Sequence, residues 1–159
     1  MNLLNHSTKY VYITTPYLIV DNEIMRCIEN AALRGVDVRI VIPGVPDKKM
    51  VYELTKNSAE ILAKSNVKIY YYTPGFIHAK QYIADDIVGI IGTINLDYRS
   101  LTHHFENGVW IYDEAFIKDV KEDFKIIFNK SKLINENHIK VNIFKRVIRA
   151  LLKIISPLL

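Results

Sequence analysis

The sequence is poor in cysteine, and this scarcity excludes two kinds of architecture. Cys27 is the only cysteine in 159 residues, so no internal disulfide can form, and no Cys/His spacing indicates a zinc site. A reducing environment is therefore expected. Cys27 lies in an apolar helical pattern, which favours a small buried hydrophobe over a reactive thiol.

Uninterrupted apolar runs are also missing. No run reaches the roughly 18 residues of a spanning helix, so no segment is expected to cross a membrane as the chain stands. The start at Met1 shows neither the charged leader nor the apolar core of a signal peptide. Half of the residues are hydrophobic and 24% are charged, which indicates a folded globular domain and excludes a fibrous or disordered chain.

Acidic residues are absent from residues 138–159, which carry five basic ones: Lys140, Lys145, Arg146, Arg149 and Lys153. The whole chain has 21 Lys and Arg against 17 Asp and Glu, so the part before this tail holds 16 bases against 17 acids. Nucleic-acid-binding proteins usually carry a basic body or groove. A near-neutral body with a basic tail favours an anionic surface as partner, and no nucleic acid is expected.

Strand and helix patterns alternate along the body of the chain. One helix is predicted from an Asp21 N-cap to Gly35, and a second from an Asp47 N-cap to about Lys64 with Ile61 turned inward. A third helix is predicted over 114–129. Runs rich in β-branched and aromatic residues predict strands at 10–15, 36–42, 67–72, 81–84, 87–91 and 106–112. This alternation predicts an α/β fold, a mixed β-sheet flanked by helices on both faces.

The chain is predicted to divide into a body, residues 1–131, and a linker with a basic tail, residues 132–159. Residues 130–137 form a loose polar segment. From Ile143 apolar residues recur at helical spacing, which predicts a C-terminal amphipathic helix with four basic residues interleaved: Lys145, Arg146, Arg149 and Lys153. Such a helix either packs on the body or a partner, or lies on anionic lipid; the lack of acids favours lipid.

The most informative local pattern is the run from His78 to Asp85. It opens with strand-like alternation, so His78 and Lys80 are predicted to project side by side. An imidazole can attack phosphorus near neutral pH, and a neighbouring cation offsets charge on phosphoryl oxygens. Asp85 has the opposite parity, which favours a structural brace over a reacting group.

This run resembles the H-x-K-x4-D signature of the phospholipase D superfamily, filled here by His78, Lys80 and Asp85. The G-x-x-N element that follows in the superfamily is similar to Gly92-Thr93-Ile94-Asn95. Within the superfamily, the chain most resembles the C-terminal half of bacterial cardiolipin synthases. The similar segments are Thr15-Pro16-Tyr17, residues 32–39, residues 74–80 and residues 95–100.

The resemblance implies a role for each site residue. His78 would attack phosphorus and form a phosphohistidine, or else protonate the leaving group. Lys80 and Asn95 would hold the phosphoryl oxygens, and Thr93 would add a hydroxyl. Asp85 completes the catalytic signature. Glu106 would accept a hydrogen bond from the far nitrogen of His78 and hold its tautomer.

It also implies a reaction and partners. The phosphatidyl group of one phosphatidylglycerol would move to a hydroxyl of another, giving cardiolipin and glycerol without metal or cofactor, at the cytoplasmic face of the cell membrane. Superfamily sites use two motifs and this chain has one, so an N-terminal half or a second copy is expected as partner. The alternatives are a homodimeric nuclease or phosphodiesterase, and an inactive lipid-binding fragment.

Several neighbours of the motif leave two interpretations open. Gly92 is either a turn residue or a place where the backbone approaches a phosphate. Asp97 and Arg99 either form an ion pair or contact substrate. His103 and His104 are expected at the surface or at the rim of the site.

Overall fold

The α-helices in the described part of the chain have between 5 and 16 residues. The computed structural model describes residues 1–134 and 143–156, so predictions for 135–142 and 157–159 lie outside the described residues. The helices are α1 (Asn2–His6), α2 (Asn22–Leu33), α3 (Lys49–Ala63), α4 (Glu114–Asn129) and α5 (Ile143–Ile155), with a π-helical turn at Arg99–His103.

Nine strands are present in the described part of the chain. They are β1 (Tyr10–Thr14), β2 (Leu18–Ile19), β3 (Asp37–Pro43), β4 (Lys68–Tyr72), β5 (Gln81–Ala84), β6 (Val88–Gly92), β7 (Leu96–Asp97), β8 (Gly108–Ile111) and β9 (Ser131–Leu133). Seven of them form one sheet in the order β8-β6-β5-β1-β3-β4-β9, and β2 pairs with β7. Pairing is parallel in β1-β3-β4 and antiparallel elsewhere in the large sheet. The predicted mixed sheet is confirmed.

Alternate residues of the central strand β1 fill two separate cores. Val11 and Ile13 face α1, α2 and α3, in a cluster that includes Ile28 and Leu62. Tyr10 and Tyr12 face α4, where Phe124 is fully buried. Because successive strand side chains point to opposite faces, a wholly buried β1 requires helices on both sides. The predicted two-sided packing is confirmed.

Helix boundaries show where the local signals succeed and fail. Asp21 accepts a hydrogen bond from the Ile24 amide at 2.8 Å, and Gly35 has a φ of +89°, as an N-cap and a helix end require. The Asp47 N-cap prediction is wrong. Lys48 is the N-cap residue of α3 and makes no side-chain cap bond. The Asp47 carboxylate instead accepts the Tyr17 hydroxyl, a partner distant in sequence.

Two further expectations are corrected by tertiary contacts. Residues 131–133 form β9, antiparallel to β4, so the predicted boundary at 131 falls within a strand and the segment 130–137 is not wholly loose. Three residues are too few for a periodic signal, and the open edge of β4 supplies their hydrogen-bond partners. Ile61 is 37% exposed instead of turned inward, because the face of α3 carrying Leu54 and Leu62 meets the body.

Asp85 ties the start of the chain to the β5-β6 hairpin. Both turn residues, Asp85 and Asp86, have positive φ, 57° and 63°. The buried Asp85 carboxylate accepts the backbone amides of Thr8, Lys9 and Tyr10 at 2.7, 2.9 and 2.8 Å. Burial alone would raise the pKa of Asp85, but these amides outweigh it and hold the pKa below its ordinary value. These contacts agree with the brace predicted from parity.

Replacing this carboxylate tests the brace. Asp85→Asn should lower the free energy of unfolding by about 3 kcal/mol, because hydrogen bonds to a charged acceptor are lost and an amide group is buried without a matching acceptor. Chemical denaturation at pH 7 measures the change. The exposed Asp119→Asn, on α4, is the control and should change it by less than about 0.5 kcal/mol.

The pH dependence of the free energy of unfolding tests the contribution of the Asp85 carboxylate independently. Since the folded pKa of Asp85 is lowered, its contribution to stability is complete above the ordinary pKa and is lost as pH falls through the folded value. The stability difference between the native chain and Asp85→Asn should therefore shrink as pH drops below 3.8. A difference that stays constant down to acid unfolding contradicts the brace.

Candidate active site

His78 and Lys80 lie in an extended segment that leads into β5. The strand itself begins at Gln81, so the pair precedes the hydrogen-bonded ladder in which the alternation had placed it. The two residues are nevertheless neighbours. The Lys80 ammonium Nζ donates to the His78 carbonyl at 2.8 Å. His78 and Lys80 thus both lie just before the start of β5, with His78 exposed and Lys80 partly buried.

The His78 ring belongs to a row of aromatic side chains. Its ring centre lies 5.7 Å from that of Phe76, and the Phe76 ring lies 6.2 Å from that of Tyr17. Partial desolvation, and then the Lys80 charge, lower the pKa of His78 below 6.5, while Asp47 opposes the shift. The imidazole is therefore largely neutral at pH 7, the form that can act as a nucleophile.

Lys80 faces two carboxylates of the site. Desolvation lowers the pKa of Lys80, while the charges of Glu106 and Asp97 act in the opposite direction. Both carboxylates therefore lie within electrostatic reach of the ammonium. A lysine in this setting remains a cation at neutral pH, available to phosphoryl oxygens.

Glu106 does not contact His78, which corrects the predicted pairing. The Ser100 hydroxyl donates to Oε1 of Glu106 at 2.8 Å, and the Thr93 hydroxyl donates to Oε2. His104 Nδ1 lies 3.6 Å from Oε1. Hydrogen bonds from Thr93 and then Ser100 lower the pKa of Glu106, so its carboxylate is charged. Glu106 is therefore held by Thr93, Ser100 and His104, and His78 is not among its described partners.

Thr93 and Asn95 differ in what they leave available. The one hydroxyl proton of Thr93 is given to Glu106, so in this arrangement Thr93 does not offer it to a phosphate. Asn95 lines a cavity together with Asp97, and its side-chain oxygen is buried with no hydrogen-bond partner among the described residues. An unpaired buried amide oxygen is rare. This oxygen can only accept a hydrogen bond, so the side-chain nitrogen of Asn95 is the group that could donate to a phosphoryl oxygen.

Gly92 is required for a reason that neither sequence interpretation gave. A Cβ at this position would lie 2.0 Å from the Asn107 carbonyl oxygen and 2.7 Å from the Gly108 Cα. The backbones of β6 and β8 approach so closely here that only glycine fits. This close approach brings the 92–95 turn next to the segment that carries Glu106.

Ser100, in the π-helical turn, is a site residue that the sequence analysis did not identify. Asp97 accepts the Ser100 amide at 2.7 Å, and the Ser100 hydroxyl then holds Glu106. Asp97 therefore does not pair with Arg99, whose Nε donates to His104 Nε2 at 3.3 Å. The available signal was the spacing of Asp97 and Ser100, which is that of an N-cap side chain and the amide it accepts.

Helix α5 packs on α3 with one arginine turned inward. Arg149 is 6% exposed and donates to Glu60 at 2.7 Å and to Glu53 at 3.1 Å. The prediction that Arg149 contacts a membrane is therefore wrong, because two carboxylates of α3 bury its guanidinium. Lys153 is exposed. The side chains of Lys145 and Arg146 lie outside the described residues.

Neither a metal cluster nor a spanning helix is found in the described part of the chain. Residues 1–134 and 143–156 hold no group of three or more His, Cys, Asp or Glu side chains placed to bind a metal ion. None of their helices has the length and hydropathy needed to cross a bilayer.

The fold and the site together define a phospholipase D-type half-domain. The same architecture occurs in the crystal structure of Nuc from Salmonella typhimurium, a phospholipase D family member. The two superpose with a TM-score of 0.73 at 20% sequence identity, over 84% of this chain and 87% of that chain. At this identity the likeness concerns the fold.

Sequence comparison narrows the class further. The family model for the PLD-like domain of cardiolipin synthase matches residues 1–128, and the chain belongs to that family. A cardiolipin synthase of Clostridium perfringens SM101 is 37% identical over 158 residues, which cover 99% of this chain and 33% of that protein. The resemblance drawn from the motif is confirmed.

Another relative is known only as an uncharacterized protein of Streptococcus mutans serotype c. It is 46% identical over 160 residues, covering 100% of this chain and 35% of that protein. The chain therefore spans about a third of the length of these curated relatives.

The electrostatic coupling of His78 to Lys80 can be measured directly. Replacing Lys80 with Met should raise the pKa of His78, because a neighbouring positive charge that disfavours the imidazolium is removed. NMR titration of the His78 ring gives the value. The exposed Lys118→Met should leave it unchanged. A His78 pKa that is the same in Lys80→Met and the native chain contradicts the coupling.

Proposed function

We propose that the protein transfers a phosphatidyl group between two phosphatidylglycerol molecules, producing cardiolipin and glycerol. The observation that carries this proposal is the hydrogen bond from the Gly92 amide to the Lys80 carbonyl, which joins the His78–Lys80 segment to the 92–95 turn that carries Asn95, in a chain that belongs to a cardiolipin synthase family. No metal or organic cofactor takes part.

His78 and Lys80 divide the proposed chemistry between them. A neutral nitrogen of His78 attacks the donor phosphorus. The bond from phosphorus to the oxygen of the headgroup glycerol breaks, leaving a phosphatidyl group on the histidine as a phosphohistidine. The departing oxygen takes a proton and leaves as glycerol. A hydroxyl of the second phosphatidylglycerol then attacks phosphorus, gives up its proton and frees His78. Lys80 and Asn95 stabilise the charge on the phosphoryl oxygens in both steps.

The proton donor in this scheme comes from a second half-domain, supplied by an N-terminal half or by another copy. Its docking surface would be the apolar patch beside Glu106. Phe105 is 108% exposed, Val109 is 64% exposed and Leu101 is 38% exposed. Exposed apolar side chains close to Glu106 in the sequence favour a protein partner there. The curated relatives, about three times as long, have room for such a half.

Loss of the imidazole tests the transfer. In the intact protein, His78→Ala should reduce cardiolipin formation from phosphatidylglycerol vesicles by at least roughly 1,000-fold, because the covalent intermediate cannot form. The exposed His6→Ala, at the end of α1, is the control and should retain activity. Thin-layer or mass-spectrometric analysis of the lipids measures the product.

Two results count against this function. Unchanged cardiolipin output from His78→Ala removes the histidine from the reaction. Nicking of plasmid DNA by the native protein, with no lipid product, favours the nuclease alternative instead.

Helix α5 is proposed to rest on the anionic bilayer that holds the substrate, at the cytoplasmic face of the membrane. Val147, Leu151 and Ile154 are 55%, 61% and 75% exposed, whereas Leu152 is 8% exposed against the body. The outward face is thus apolar, with the exposed Lys153 beside it. Residues 138–159 lack acids, so nothing in this segment opposes a negatively charged lipid surface.

A triple substitution tests this contact. Replacing Val147, Leu151 and Ile154 with Ser should weaken binding to phosphatidylglycerol vesicles by more than about tenfold, since each large apolar side chain contributes roughly 1.5–3 kcal/mol when buried. Co-sedimentation measures binding. Leu33→Ser with Ile87→Ser, at residues 70% and 62% exposed, is the control.

The dependence of vesicle binding on lipid composition distinguishes a lipid surface from a protein partner at this face of α5. Native binding should fall when phosphatidylcholine replaces phosphatidylglycerol. Unchanged vesicle binding in the triple variant, together with loss of self-association in sedimentation, contradicts the membrane contact and assigns the face to a protein interface.

A further inference from the structure

The cavity that Asn95 lines also carries several polar and basic side chains. Its volume is about 220 Å³, and its lining includes Asn95, Ser100, Arg99, His104 and Lys48. At roughly 30 Å³ for each water molecule of the liquid, this space equals about seven waters, enough for a glycerophosphate headgroup. Asp97, which also lines the cavity, lies within electrostatic reach of Lys80, so a molecule in the cavity lies close to the proposed phosphoryl site.

Arg99 and Lys48, the basic side chains that line this cavity, form no ion pair with an acidic side chain in the described part of the chain. Arg99 makes one hydrogen bond within the described residues, from Nε to His104, and its two terminal nitrogens have no partner there. Lys48, at the start of α3, is exposed. The carboxylate of Asp97 also lines the cavity, but it already accepts the Ser100 amide.

Arg99 is held toward the site through His104. His104 Nε2 accepts the Arg99 Nε hydrogen, and its Nδ1 lies 3.6 Å from the Glu106 carboxylate. Glu106 in turn lies within electrostatic reach of Lys80. The row of Arg99, His104 and Glu106 therefore holds one side of the exposed Arg99 guanidinium at the cavity and leaves its terminal nitrogens open to a ligand.

The proposed reaction needs an anion site of this kind. The acceptor phosphatidylglycerol carries its own phosphodiester, three carbons from the hydroxyl that attacks. Lys80 and Asn95 are engaged with the donor phosphate, and two phosphates brought together repel each other. A neutral alcohol or water used as acceptor has no such charge and no such need.

We propose that Arg99, positioned by His104, binds the phosphate of the acceptor lipid in this cavity. This inference rests on the proposed transfer between two phosphatidylglycerols and adds the group that recognises the second one. Arg99 then determines acceptor specificity: it favours an anionic glycerophosphate over water and neutral alcohols. A guanidinium suits this role because it stays charged and can donate two parallel hydrogen bonds to a phosphate.

The test separates acceptor from donor by changing only the acceptor. The intact protein and its Arg99→Gln variant are each given phosphatidylglycerol vesicles, with and without a small neutral alcohol. Arg99→Gln should slow cardiolipin formation at limiting lipid by about 10- to 100-fold, the equivalent of one charge-assisted hydrogen bond. Phosphatidyl transfer to the alcohol, which uses the same donor step, should change by less than about twofold.

Three further variants test whether Arg99 acts through its charge and its position. Arg99→Lys should recover part of cardiolipin formation, since a cation remains. His104→Ala should act in the same direction as Arg99→Gln but more weakly, as expected for a positioning residue, and should also raise the apparent KM for lipid more than it lowers kcat. Arg26→Gln, an exposed arginine on α2, is the matched control and should leave both products unchanged.

Each outcome decides the matter. Equal loss of cardiolipin and alcohol product in Arg99→Gln overturns the acceptor role, because the donor step or the fold has then been damaged. No loss of either product also overturns it. If the native protein transfers phosphatidyl groups to the alcohol but makes no cardiolipin, the proposed function and this inference fail together; if it makes cardiolipin and Arg99→Gln matches it, only this inference fails.

Discussion

The buried carboxylate of Asp85 accepts three consecutive backbone amides, from Thr8 to Tyr10, and so joins the entry of β1 to the β5-β6 turn. The placement of the candidate site follows from this junction. In the antiparallel hairpin Gln81 pairs with Ile91, so the start of β5 and the end of β6 lie side by side at the end opposite the turn. The Gly92 amide donates to the Lys80 carbonyl at 3.3 Å there. The two halves of the motif meet because the far end of the hairpin is held.

The site itself is organised by hydrogen bonds among polar side chains that are close in sequence but not in one element. Ser100 and Thr93 hold Glu106, and His104 connects Glu106 with Arg99. These contacts keep a carboxylate charged near Lys80. Glu106 thus lies between the Lys80 ammonium and the His104–Arg99 pair, the two cationic groups proposed to bind the donor and the acceptor phosphate.

Helix α5 shows how an amphipathic pattern can be satisfied in an unexpected orientation. Its periodicity predicts a helix, yet the buried side includes an arginine, Arg149, between Glu53 and Glu60. Leu152 packs beside it, in a cluster with Ile19 of β2 and with Val51 of α3. Both of these residues also border the cavity that Arg99 lines. A helix proposed to lie on lipid is therefore in contact with the walls of the proposed acceptor site.

Local patterns in the sequence determined the elements and one structural role: the bounds of α4, the Asp21 cap and the parity of Asp85. Each depends on neighbours within a few residues, where strand and helix periodicity and capping act. Tertiary structure alone decided which partners the distant charges found. Asp47 accepts a hydrogen bond from Tyr17, and Glu106 accepts hydrogen bonds from Ser100 and Thr93. Arg149 forms ion pairs with two glutamates of α3. A side chain's charge is visible in sequence, but its partner is set by which elements pack together, because electrostatic and hydrogen-bond energies depend on distance through space.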